Sequence, residues 1–159
     1  MSQFDCINAV EVALHELPSA MDTPAARMML FAIAQQESGM TYRRQMPTGP
    51  ARGLWQFEAG GGVRGVLTHK SSRFWARSAL QARSISADIK TAWAALETDD
   101  VLAAIFARLL LFTDPRPLPA VHPSTGGAAW DYYIRNWRPG KPHRDRWNSS
   151  FALGLELAR

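Results

Sequence analysis

The chain has a single cysteine, Cys6, in 159 residues. No internal disulfide can form, so folding does not depend on oxidation, and work outside the cytoplasm stays open. A lone thiol in a first helix without a basic neighbour is also a poor nucleophile. No apolar run approaches the roughly 20 residues of a membrane span. The N-terminal stretch carries Asp5, Glu11 and Glu16 and has no basic opening, so it does not read as a signal peptide. His15, His69, His122 and His143 are scattered, with neither H-x-x-x-H nor C-x-x-C spacing, which speaks against a metal site. The triplet Gly60-Gly61-Gly62 lacks the Gly-Lys-Ser/Thr ending of a phosphate loop and follows no strand. There is no internal repeat, no low-complexity tract and no convincing strand pair.

What is present suits one helical domain spanning 1–159. The hydrophobic content of 47% fits a chain that buries roughly two thirds of its unfolded surface. The charge balance is basic, 18 Lys plus Arg against 14 Asp plus Glu, and nearly all the cations are arginine. A net +4 points to an anionic partner of any kind: nucleic acid, anionic lipid or cell-wall polymer. The basic residues are spread along the chain, which weakens that signal.

Periodicity and punctuation predict the helices. The first runs from about Gln3 to Leu17, with Ile7, Val10, Leu14 and Leu17 on one face and Pro18 as its stop. Thr23 caps the second, Pro24 occupies its first position, and it ends at Ser38 before Gly39. Residues 40–62 read as loop. Short helices are expected over 63–69, 72–82 and 87–96, the last with Ile89, Trp93 and Leu96 on one face. Asp99 and Asp100 cap a helix over 101–112 that is apolar nearly all round, the mark of a central buried element. Arg108 inside it needs a partner, and a structural ion pair is the expected one. After a proline-rich loop, helices are expected over 128–137, with Trp130, Tyr133, Ile134 and Trp137 on one stripe, and over 145–157.

One acidic residue stands out. Ala26, Met29, Leu30, Ile33 and Glu37 follow the i, i+3, i+4, i+7 rule, so Glu37 extends the apolar stripe of its helix. A carboxyl in apolar surroundings is harder to ionise, stays protonated near neutral pH and can serve as a general acid. The plain alternative is a helix-end glutamate that reaches water. Sixteen residues on comes the turn Gly53-Leu54-Trp55-Gln56-Phe57, behind Gly49-Pro50-Ala51.

Glu37-Ser38 closing a helix, followed at this spacing by Gly53-Leu54-Trp55-Gln56, resembles the catalytic core of lytic transglycosylases, the lysozyme-like enzymes that cut peptidoglycan. The match covers about residues 24–58. The family's third motif, Ala-Tyr-Asn, is absent; its nearest counterpart is Ala129-Trp130-Asp131-Tyr132-Tyr133. The run from Gly49 through Gly62, together with the shortness of the chain and its lack of a signal peptide, is similar to phage or prophage members such as endolysins. The resemblance implies an all-α lysozyme-like fold, here around the 101–112 helix. It also implies cleavage between N-acetylmuramic acid and N-acetylglucosamine by one carboxyl, Glu37. That group protonates the glycosidic oxygen, then takes a proton from the muramic 6-hydroxyl as a 1,6-anhydro ring closes, with no cofactor. Gln56 and Ser38 become candidate substrate-binding or positioning residues. Trp55 and Phe57 alternate around Gln56, so one is expected in the core and Phe57 remains a candidate sugar contact. Glu58 is the best second carboxylate. Tyr132 and Tyr133 are adjacent, so both are not expected in the core; Tyr133 is placed to reach Glu37 and Tyr132 is read as more peripheral, and both, with Glu58, are candidate substrate-binding residues. The implied partner is the glycan strand of peptidoglycan, attacked by a monomer made in the host cytoplasm and delivered to the wall from a virion or after holin-dependent release.

Three other readings compete. A goose-type muramidase would use a similar glutamate but deliver water. A virion component could keep the shape without activity. A nucleic-acid module could use the basic and aromatic stretch 135–144.

Overall fold

In the computed structural model, which describes residues 2–159, eight α-helices are joined by loops and short turns. They are α1 (Ser2–Glu16), α2 (Pro24–Ser38), α3 (Arg64–Thr68), α4 (Arg73–Ala82), α5 (Ile89–Ala95), α6 (Asp100–Thr113), α7 (Gly126–Trp137) and α8 (Arg144–Leu157). Among the described residues there is no β-strand, only isolated bridges from Arg52 to Arg44 and to Phe57. The fold is all-α, as expected. None of the helices is long and apolar enough to cross a membrane.

The helix ends follow local chemistry. The Thr23 hydroxyl accepts from the Ala26 amide at 3.1 Å, with Pro24 behind it, and Asp99 does the same for Leu102 at 2.9 Å. Gly39 closes α2 in the left-handed conformation that a glycine adopts without strain. Helix α6 is buried along most of its length and packs on α1, α2, α3 and α4. It shares the centre with α2, which packs on α1, α6, α7 and α8. Met28, Phe31, Ala32 and Ala34 of α2 are buried beside the expected stripe of Ala26, Met29, Leu30 and Ile33. The core therefore has two central helices instead of one. Among the described residues Arg108 of α6 makes no ion pair: its Nε donates to the Met21 carbonyl at 2.9 Å, and burial lowers its pKa.

Helices α2 and α8 approach closely at Gly154. A Cβ added at Gly154 would lie 2.5 Å from the Met28 carbonyl oxygen and 2.9 Å from the Ala32 Cβ. The obstacle is largely backbone, which cannot swing aside. Gly154→Val should therefore cost about 2–3 kcal/mol, the usual scale of overpacking, read as a lower denaturant midpoint. An unchanged midpoint would mean that α8 does not need to sit this close. The approach has a consequence for the site: the Ser150 hydroxyl donates at 2.8 Å to Oε1 of Gln36, the residue before Glu37.

Candidate active site

The end of α2 is held in place by the loop that follows it. The Ser38 hydroxyl donates to Ala34 in its own helix at 3.1 Å and to the Leu54 carbonyl at 2.6 Å. Trp55 Nε1 donates to the Leu30 carbonyl at 2.9 Å. Arg52 and Phe57 exchange both backbone hydrogen bonds, each at 2.9 Å, closing the turn between them. Gly53 makes that turn possible: its φ is +79° and a Cβ would lie 2.8 Å from the Leu96 carbonyl oxygen. Gln56 is also left-handed, at φ 54°, and its Nε2 bonds back to the Gly53 carbonyl at 2.9 Å.

The opposite wall comes from α7 and the segment after it. Tyr133 is buried, its ring stacked on Trp147 at 5.2 Å with 2° between the planes. Such a pair contributes about 1 kcal/mol beyond burial and fixes where the phenol points. The Tyr133 hydroxyl donates to Glu37 Oε2. Trp137 Nε1 donates to the Trp55 carbonyl at 2.9 Å, joining α7 to the turn. Beyond it, residues 138–143 form a strap bracketed by left-handed Arg138 and His143. Gln36 Nε2 pins the strap through the Pro142 and His143 carbonyls, both at 3.0 Å.

These walls enclose a cleft of about 820 Å³, towards the upper end of the roughly 300–1,000 Å³ typical of ligand sites. Glu37, Gln56, Glu58 and Tyr133 line it, with Tyr42 and Met46 on one rim and Arg138, Lys141 and Arg146 on the strap side. A second cleft of about 450 Å³ shares Gln56, Glu58, Trp137 and Arg138 with the first and continues to Gly60–Gly62 and Arg64. The two clefts adjoin along these four residues, and Glu37 lines the larger one.

Burial raises the Glu37 pKa to about 7, against the opposing pull of the Tyr133 hydrogen bond; the nearby Glu58 carboxylate adds to the rise. Burial and the Glu37 charge push the Tyr133 phenol far above its ordinary range, so it remains a donor throughout the physiological range. The pair can therefore present a proton near neutral pH and hold the carboxylate once that proton has gone.

Several sequence expectations need correction. Tyr132 is not peripheral: it is 3% exposed, and its hydroxyl donates to the Leu111 and Arg116 carbonyls at 3.1 and 3.2 Å. It is absent from both clefts. Adjacent helical positions point about 100° apart, and α7 is covered on both of those sides, so both tyrosines are buried. Phe57 and Trp55 are both core as well. Phe57 is 2% exposed and packs against Phe106 and Trp137, reaching only the edge of the smaller cleft. The Ser38 hydroxyl serves the turn, not the Glu37 carboxyl. The 135–144 stretch is a cleft wall in which Arg135 pairs with Asp114 at 2.8 Å and Arg144 lies over Trp130. The structure adds Tyr42 and Met46, 54% and 62% exposed at the rim, whose positions in an irregular loop carry no period to flag them. Cys6 is buried, its thiol pushed up to about 12. Among the described residues no cluster of three or more His, Cys, Asp or Glu is placed to hold a metal ion. No protein-family model, no curated protein and no solved structure matches this chain.

Proposed function

We propose that this protein is a lysozyme-like lytic transglycosylase that cleaves the β-1,4 bond between N-acetylmuramic acid and N-acetylglucosamine in peptidoglycan. The observation that carries the reading is the Glu37 carboxyl: protonatable near pH 7, held by a buried tyrosine hydroxyl, and lining a cleft of about 820 Å³. The Glu37–Ser38 and Gly53–Gln56 resemblance supplies the substrate class. Glu37 gives its proton to the bridging oxygen as the C1–O4 bond breaks. The muramic O6 then bonds to C1 and its proton passes to the Glu37 carboxylate, which restores the acid. Tyr133 holds the carboxylate between the two transfers. Gln56, which lines the cleft, would hydrogen-bond the sugar N-acetyl and hydroxyl groups, and Tyr42 offers an exposed ring for a sugar face. The cations of the strap suit a glycan whose lactyl and peptide branches carry carboxylates.

Glu58 separates this reading from a water-delivering muramidase, because it is the one other carboxylate that lines the groove. An inverting hydrolase needs such a base about 6.5–9.5 Å from the acid. Under the proposed mechanism Glu58→Gln keeps activity within about threefold. The alkaline limb of its pH profile moves down, because a charge that raises the Glu37 pKa has gone. Loss of about 10² or more in turnover would instead make Glu58 a catalytic base. The function itself is tested by release of soluble muropeptides from purified sacculi, which the protein is expected to accomplish; intact sacculi after prolonged incubation would overturn it.

A further inference from the structure

Positions 59–87 hold five Lys and Arg and no Asp or Glu, so this stretch alone is more positive than the whole chain at +4. The fold gathers most of that charge on the outside of α4. Arg73, Phe74, Arg77, Ser78 and Gln81 recur at helical steps on α4, Lys70 lies in the turn just before it, and all six are exposed. The opposite face, Ala76, Ala79 and Leu80, is buried, with the helix packed on α3 and α6. Among the described residues Lys70, Arg73 and Arg77 make no ion pair, while Arg83 at the helix end pairs with Glu16 and Asp99. In the midst of the three free cations Phe74 stands 65% exposed, its ring edge-on to Trp75 at 4.9 Å. No residue of α4 lines either cleft.

Among the described residues the cations of this face have no carboxylate partner, and Arg77 gives one long hydrogen bond, to the Leu67 carbonyl at 3.4 Å, while Phe74 beside them keeps a large apolar ring in water. We infer that the outer face of α4 and the turn before it dock on an anionic lipid surface, with Lys70, Arg73 and Arg77 on headgroup phosphates and Phe74 entering the acyl boundary. Charge complementarity selects an anionic partner, and the ring selects a bilayer over a soluble polyanion: phosphates take up the cations, but only a lipid interface buries a phenyl group at the apex of a helix. This docking goes beyond the proposed cleavage and does not depend on it.

The test uses the full chain with Glu37→Gln, so that no wall chemistry intervenes, in co-sedimentation with phosphatidylcholine vesicles with or without phosphatidylglycerol. Binding is expected only with the anionic lipid. It should weaken about 100-fold when Lys70, Arg73 and Arg77 all become Ser, at about fivefold per charge. Phe74→Ser should weaken it by about tenfold, the scale of a buried phenyl group. Arg73→Lys with Arg77→Lys should retain it, and all these side chains are exposed enough to spare the fold, which circular dichroism checks. Absence of binding to the anionic vesicles overturns the inference. So does Phe74→Ser binding them as tightly as its parent. Tighter binding to a random single-stranded oligonucleotide than to the vesicles would reassign the face to nucleic acid.

Discussion

Replacing Glu37 with Gln is expected to lower wall-clearing activity by at least about 10²-fold while making the folded protein more stable above pH 7. The amide keeps the shape of the side chain and can still accept from the Tyr133 hydroxyl, so the fold has no reason to change. It cannot give up a proton to a leaving oxygen. The stability gain follows from linkage. In the unfolded chain the carboxyl titrates at its ordinary 4.5, and in the native state burial raises it to about 7. Between those values the folded state holds a proton that the unfolded state has lost, so stability falls as pH rises through this window and levels off above it. The gap corresponds to roughly 3 kcal/mol. The variant should match the parent at pH 4 and exceed it at pH 8, seen as a higher denaturant midpoint at the upper pH. Near-normal activity, or a stability difference independent of pH, would remove Glu37 from the acid's role.

The second large effect is expected at Tyr133. Tyr133→Phe leaves the ring stacked on Trp147 and removes only the hydroxyl that holds Glu37. That hydrogen bond favours the ionised carboxyl, so without it the Glu37 pKa climbs above about 7 and the alkaline limb of the pH profile moves up. Turnover should nevertheless drop by about tenfold or more, because the carboxylate loses its anchor between giving up a proton and taking one back. The combination of a slower enzyme and an upward shift in pH profile is specific to a positioning role. A variant with unchanged turnover and an unchanged limb would mean that the bond is structural only.

Much of this was legible in the residues because the signals were local. Thr23, Pro24 and Gly39 mark both ends of α2, Asp99 starts α6, and the stripe through Ile33 points at Glu37. The turn at Gly53 could be read from its glycine and its spacing. What escaped depends on how helices meet. Tyr132 and Tyr133 are both buried because α7 is covered on two sides, a fact that no period within α7 contains. The second central helix was hidden by its own stripe: Met28, Phe31, Ala32 and Ala34 fill the faces outside it, covered because α1, α6, α7 and α8 all pack on α2, with Gly154 seated against Met28 and Ala32. The strap was visible as Pro139, Gly140 and Pro142, but its place as a cleft wall rests on Gln36 reaching residues more than a hundred positions away. The acid-free stretch at 59–87 lay in plain view, masked by a modest net charge.

The proposed chemistry predicts that water does not enter the product. Peptidoglycan digested by this protein in oxygen-18 water, with the released muropeptides weighed by mass spectrometry, tests that directly. Ring closure at O6 leaves a 1,6-anhydromuramic end, lighter by one water than a hydrolysed end and free of heavy oxygen. Products of this kind, made by the parent protein and absent with Glu37→Gln, are the predicted result. Muramic reducing ends carrying oxygen-18 would contradict the account and make the protein a hydrolase.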